Sequence, residues 1–272
     1  MSKYRYFFHI AYKGGNYRGW QKQINACSVQ ESIEDVLSKF LKEKVHCIGC
    51  GRTDAGVHAS QYYFHIDVSH EISENLLFAI NRMLPPDISI FDFSRVDSKN
   101  HAQHSALKRT YNYFIHTCKN PYLNDISSLY SLDLDSKKMQ LAAQLLVGEK
   151  DFRAFCKTPD RHNHTLCIVS KAQVYRSSDN QFFRFEISAN RFLKGMIRII
   201  VNQLLEIGQG KLSIDEFKHQ LNKQITPCPL NLAYPQGLYL SAIHYPFLES
   251  KNPANKCVML DLKEWISSEL II

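Results

Sequence analysis

In the run Gly51-Arg52-Thr53-Asp54-Ala55-Gly56-Val57-His58-Ala59, one carboxylate stands between two glycines with a guanidinium two residues before it. Glycine lets the backbone bend where a Cβ would clash, so an Asp at the apex of such a turn can face a cleft instead of capping a helix. Read this way, the run is a catalytic loop built on Asp54. The same residues also meet the requirements of a plain polar hairpin turn, in which Asp is an ordinary member. The rest of the chain decides between the two.

Nothing else in the sequence supplies a familiar reaction centre. There is no nucleotide-phosphate loop, no dinucleotide fingerprint and no HExxH motif, so nicotinamide, ATP and zinc-hydrolase chemistry have no footing and no cofactor is implied. Cys47 and Cys50 have zinc-knuckle spacing, and His162, His164 and Cys167 crowd together later. A second tight ligand pair is missing, and a strand over Val45 to Gly49 would orient the two sulfurs to opposite faces, so these read as ordinary small core residues. The eight scattered cysteines read as reduced thiols. What remains is one Asp, many Arg and 14 Tyr in a chain of 272 residues whose 33 Lys and Arg outnumber 26 Asp and Glu, for a net charge of +7. Such a balance suits a polyanionic partner. Met1 to Phe8 lacks the apolar run of a signal peptide, and no stretch approaches the roughly 18 apolar residues of a membrane span, so a cytoplasmic location is expected.

The elements that must position Asp54 follow from periodicity. Tyr4 to Tyr12 alternates as a strand. Ser28 and Glu31 form a capping box ahead of Val29, Ile33, Val36, Leu37 and Phe40, one face of a helix. Val45 to Gly49 and Gln61 to Val68 flank the loop as two paired strands. Ser73 opens a second helix that stops before Pro85 and Pro86, and Ile88 to Val96 reads as a strand. The order strand, helix, strand, strand, helix, strand then recurs: a strand over Lys108 to Cys118, a helix over Asp135 to Val147 ended by Gly148, strands over Thr165 to Arg176 and Gln181 to Ser188, a long helix over Arg191 to Ile207, and a closing strand over Leu238 to Tyr245. A short helix starts at the Ser213 to Glu216 capping box.

This predicts an α+β protein of two ferredoxin-like, RRM-like halves, residues 1–103 and 104–248, with antiparallel sheets enclosing a central cleft. The tail, 249–272, has apolar residues suited to a packed helix and carries no assigned function.

At this point several segments become recognisable together: YKGGNYRGWQKQ, SVQESIE, GRTDAGVHA, KRTYNY at Lys108 to Tyr113, RFLKGMIR at Arg191 to Arg198, and PQGLYL before the closing strand. In this order they resemble the tRNA pseudouridine synthase A (TruA) family over nearly the whole chain, the tail excepted. The resemblance implies the pseudouridine synthase fold, a homodimer without cofactor, and isomerisation of uridine to pseudouridine at positions 38, 39 and 40 of the tRNA anticodon stem and loop. That reaction breaks the N-glycosidic bond, turns the base while it is held, and rebonds it through carbon five.

By the same resemblance Asp54 is the catalytic nucleophile, adding covalently at the ribose or base or taking part in elimination to a glycal. Arg198 is its salt-bridge partner, offsetting the desolvation that disfavours a buried carboxylate. Tyr111, in R-T-Y-x-Y, stacks on the target base, and Leu238 or Leu240 walls the base pocket. Arg52 enters the space left by a flipped base. Arg18, Lys108, Arg109, Arg153 and Arg191 grip the RNA backbone, as does Lys22.

Gln103, His104, Lys150 and Asn202 depart from the usual pattern, which bears on RNA contacts and on which uridines are modified. Two rival readings stand beside this one: a noncatalytic RNA-binding module, and a synthase acting on another RNA.

Overall fold

The computed structural model describes residues 4–73, 75–248, 257–261 and 264–268. In chain order its elements are β1 (Tyr4–Tyr12), α1 (Val29–Leu41), β2 (Ile48–Gly49), β3 (His58–Val68), α2 (Leu76–Met83), β4 (Ile88–Val96), β5 (Lys108–His116), β6 (Ser128–Leu129), α3 (Ser136–Gln144), β7 (Gly148–Asp151), β8 (Leu166–Arg176), β9 (Phe182–Ala189), α4 (Met196–Gly208), α5 (Ile214–Lys223), β10 (Leu238–His244), α6 (Val258–Asp261) and β11 (Ile266–Ser267). The strands pair mostly antiparallel, making a mixed α/β fold that fits a pseudouridine synthase. Among the described residues no helix is long and apolar enough to cross a membrane.

Two compact units divide the chain: Met1–Leu107 with Tyr239–Cys257, and Lys108–Leu238 with Val258–Ile272. The break falls at 107/108 instead of 103/104 because Ser105 and Leu107 are tied back into the first unit, their amides donating to His101 and His244 carbonyls at 2.9 Å. The closing strand joins the first unit because Tyr239 and Leu240 pair in parallel with His58 and Ala59 of β3.

In the first unit β3 runs antiparallel to β1, and β1 antiparallel to β4, with Phe64, Phe8 and Phe93 in register. Phe8 stacks on Phe64 at 5.0 Å and on Phe93 at 5.4 Å. Tyr6, Phe8, Ile10 and Tyr12 of β1 and Tyr62, Phe64, Ile66 and Val68 of β3 line one face at a strand's period of two, and Phe7, His9, Gln61 and His65 are buried on the other. α1 adds Val29, Ile33, Leu37 and Leu41 at four-residue spacing. Each side chain of this kind contributes about 1.5–3 kcal/mol of burial free energy. Phe40, expected on that face, is 38% exposed, because the i, i+4 stripe that ends on Leu41 leaves it on the flank. The strand expected over Val45 to Gly49 shrinks to Ile48–Gly49. Two α1 side chains take the amides a ladder would use: Ser38 Oγ accepts from Val45 N (3.0 Å) and Glu34 Oε1 from Cys47 N (2.9 Å).

In the second unit β9 lies between β5 and β8, with Phe185 opposite both Tyr113 and Val174. α3 begins where Asp135 Oδ1 accepts from the amides of Lys137 and Lys138, both at 3.0 Å. It ends at Gln144, short of the expected Val147, and Gly148, at φ +105°, opens β7 instead of closing the helix. α5 carries the full reciprocal capping box between Ser213 and Glu216.

α4 starts at Met196 and not at Arg191. Gly195 caps it in the left-handed region, and the Lys194 carbonyl is taken by Lys157 N. The tail forms one turn of helix and then the short strand β11 against β8, fastened by Ser268 N to the Val174 carbonyl at 3.0 Å. Leu262, part of the expected tail helix, lies outside the described residues.

Candidate active site

The first unit holds the Asp54 loop by its backbone, and the partner is the YKGGNYRGW segment. Trp20 N donates to the Thr53 carbonyl (3.4 Å), Gly56 N to the Tyr17 carbonyl (3.2 Å), and Val57 N closes the turn onto the Asp54 carbonyl (3.2 Å). Thr53, 8% exposed, joins its hydroxyl to that of Tyr12 at 2.9 Å. Further on, Gly14 N donates to His58 Nδ1 at 2.9 Å in a buried bond.

The glycines are required by this close approach. A Cβ on Gly14 would lie 2.0 Å from the Val57 carbonyl oxygen, and one on Gly19 only 2.2 Å from that of Thr53, at a φ of +91°. The segment is itself anchored from β4's entry: Tyr17 and Asn16 donate to the Asp87 carboxylate (2.5 and 2.9 Å), and Lys13 N to the Asp87 carbonyl. Burial and the Asp87 carboxylate both push the Tyr17 phenol up, so it stays a donor. Above the loop entry, Trp20 stacks on Tyr62 at 4.2 Å, and the Tyr62 hydroxyl donates to the Gly51 carbonyl at 2.6 Å.

Asp54 therefore sits half-buried on a turn fastened on both sides, with Arg52 exposed two residues before it. A carboxylate so held needs little reorganisation to meet a substrate, the condition for efficient covalent or electrostatic catalysis.

In the second unit Tyr111, 9% exposed on β5 opposite Ile187, meets Phe192 edge-on at 5.1 Å. Arg198 sits half-buried on α4 among Met196, Ile197, Ile199 and Ile200, all buried. Its Nε donates to the Ala233 carbonyl at 2.7 Å and its own carbonyl accepts from Ala233 N at 3.0 Å, a two-way latch between α4 and the segment before β10. Tyr113 supports the same segment, its hydroxyl donating to the Tyr234 carbonyl (2.7 Å). Leu238 and Leu240 are both buried, at 5% and 1% exposure.

The basic residues differ in how they are held. Arg18 and Lys108 are exposed. Lys22 pairs with Glu31 at 3.2 Å. Arg109 donates to the Asn190 carbonyl at 3.1 Å, and Arg191 lies 3.2 Å from His164 Nε2. Arg153 is ion-paired with Asp160 at the surface, an exchangeable contact given the small worth of exposed pairs. Cys47 and Cys50 are buried, and among the described residues no group of three or more His, Cys, Asp or Glu is arranged to hold a metal ion.

Thr53, Tyr12 and His58 were not singled out from the sequence. Thr53 and His58 belong to the loop motif, but their partners lie about 40 residues away, beyond any local signal.

A family model described as tRNA pseudouridine synthase matches residues 142–246, a span that contains Arg198, Leu238 and Leu240 but neither Asp54 nor Tyr111. The chain is 39% identical over 249 residues to the tRNA pseudouridine synthase A of Bacteroides fragilis, covering 90% of this chain and 98% of that one. It is 35% identical to that of Porphyromonas gingivalis (89% and 97% covered) and 36% identical to that of Acetivibrio thermocellus (87% and 97%). Similarity of this extent, with a half-buried Asp on a backbone-fastened loop, places the chain in the tRNA pseudouridine synthase A family of isomerases.

Proposed function

We propose that this protein converts uridine to pseudouridine at positions 38, 39 and 40 of the tRNA anticodon stem and loop, with Asp54 as nucleophile. The observation that carries the reading is the fastening of the Asp54 turn on both sides, which a mere surface turn does not require. The isomerisation conserves atoms and electrons, so it needs neither redox cofactor nor energy source.

In this reading Arg198 is the salt-bridge partner of Asp54. Its Nε is committed to the Ala233 carbonyl, so the pairing with Asp54 proposed here falls to the Nη groups. Tyr111 stacks on the base, Leu238 or Leu240 walls the pocket, and Arg52 fills the place of the flipped nucleotide. Arg18, Lys108, Arg109, Arg153 and Arg191 hold the phosphate backbone, and two copies of the chain act as a homodimer. The strand order β4-β1-β3-β2 in the first unit supports its reading as a ferredoxin-like half.

The test is incubation of the purified protein, checked for a dimer by light scattering, with an unmodified tRNA transcript, followed by carbodiimide mapping of pseudouridine. Stops at positions 38 to 40 are expected. Asp54→Ala should lower the rate by roughly 10⁴-fold or more while tRNA affinity stays within about twofold. Full activity in that variant removes Asp54 from the chemistry. Tight binding without product favours an RNA-binding module, and product only on ribosomal or small RNA moves the substrate.

A further inference from the structure

We infer that His58 is a positioning residue for Asp54, acting through the hydrogen bond its Nδ1 accepts from Gly14 N; this rests on the reading of Asp54 above. Of the hydrogen bonds described above, four link the Tyr12–Trp20 segment to the stretch from Thr53 to His58, and three of these end on Thr53 or Gly56. The fourth is made by the His58 ring at the downstream end of the loop, where the chain enters β3 and begins its pairing with β10.

The ring is 1% exposed and stacks on Tyr239 of β10 at 4.6 Å and an interplanar angle of 29°, so its plane is set by a neighbouring strand and not by the loop itself. The Cα of Gly14 abuts the Val57 carbonyl, so Gly14, Val57 and His58 lock as one unit. A backbone N–H cannot accept, so Nδ1 must present its lone pair and the ring's proton resides on Nε2. A ring turned over offers Cδ2–H and no acceptor, and one carrying a proton on Nδ1 sets two donors face to face; either releases the loop's anchor four residues from Asp54.

The chemistry of the contact makes the proposal separable from bulk packing. An Asn at 58 can place its Oδ1 near the position of Nδ1 and accept from Gly14, whereas a Gln places its oxygen one carbon further, where Nε2 lay. His58→Leu keeps apolar contact with Tyr239 and has no acceptor.

Turnover of the tRNA transcript and hydrogen exchange of the peptide spanning residues 51–59 are measured for these three variants at matched folded fraction by circular dichroism. For His58→Leu and His58→Gln the expected result is a fall in kcat of about tenfold or more, KM for tRNA within about twofold, and faster exchange in 51–59. In His58→Asn most of the kcat and of the protection should return. Wild-type kcat and exchange in His58→Leu, or losses in Asn and Gln variants that are equal and follow thermal stability alone, overturn the assignment. The exchange measurement stands apart from substrate identity. If the wild type makes no pseudouridine in tRNA but protection still follows the acceptor, the anchoring role stands and the reading of the reaction is what fails.

Discussion

Two neighbouring glycines make opposite predictions about the same substitution. Gly19→Ala introduces a Cβ 2.2 Å from the Thr53 carbonyl oxygen at a φ of +91°, so the Asp54 turn must shift or the backbone strain; a loss of roughly 2–4 kcal/mol is expected, with slower turnover. Gly15 has nothing within 4 Å of the place its Cβ would take and no positive φ, so Gly15→Ala should leave stability unchanged or raise it by about 0.4–1 kcal/mol. Chemical denaturation of both variants checks the contrast, and equal losses would show that close approach to Thr53 is not what the glycine serves. At this scale the loop was legible in the sequence because glycine and aspartate announce themselves by type. The contacts that give the loop its rigidity were not, since Tyr12 meets Thr53 and Gly14 meets His58 only after β1 and β3 have paired.

At the scale of elements, the stretch that follows β4 is docked on β3 by an imidazole. His65, fully buried and stacked on Phe7 at 5.6 Å, accepts at Nδ1 from Ala102 N (3.1 Å), while Arg5 bonds the Ser98 and Asn100 carbonyls. Burial, then the charges of Arg5 and His101, push the His65 imidazole down from 6.5 to about 4; Asp67 opposes them more weakly. The unfolded chain therefore takes up a proton below 6.5 that the folded chain refuses until about 4. Stability from this group is complete above 6.5 and is lost as the pH falls through that window. The urea midpoint should drop across it, and His65→Phe, though less stable at neutral pH, should show a shallower drop; an identical slope in the variant would exclude His65 as the source. Element starts were readable where a side chain caps them, as Ser28 and Ser213 do. They were misread where a distant group intervenes: Glu34 and Ser38 consume the amides of the expected strand, and apolar periodicity runs on past Gly195 although α4 begins only after it.

For the molecule as a whole, strand-by-strand reading found the order of elements but could not tell which unit owns the last strand, because pairing partners leave no mark in a strand's own composition. Leu238 closes one unit and Tyr239 re-enters the other, where its strand lies beside His58 and Ile243 N donates to Gln61 Oε1 at 2.8 Å. A fragment ending at Leu107 is thus expected to lack a stable fold, and supplying 239–248 as a peptide in trans should recover amide dispersion in its NMR spectrum; a well-dispersed spectrum without the peptide would contradict this. The same crossing imposes an order on birth. During synthesis the β3 edge that flanks the Asp54 loop emerges from the ribosome early and waits while 108–238 are translated, a delay on the order of ten seconds at typical elongation rates. Through that interval the nascent chain exposes an unpaired strand edge of the sort chaperones shield, and Asp54 acquires its setting only as synthesis nears its end.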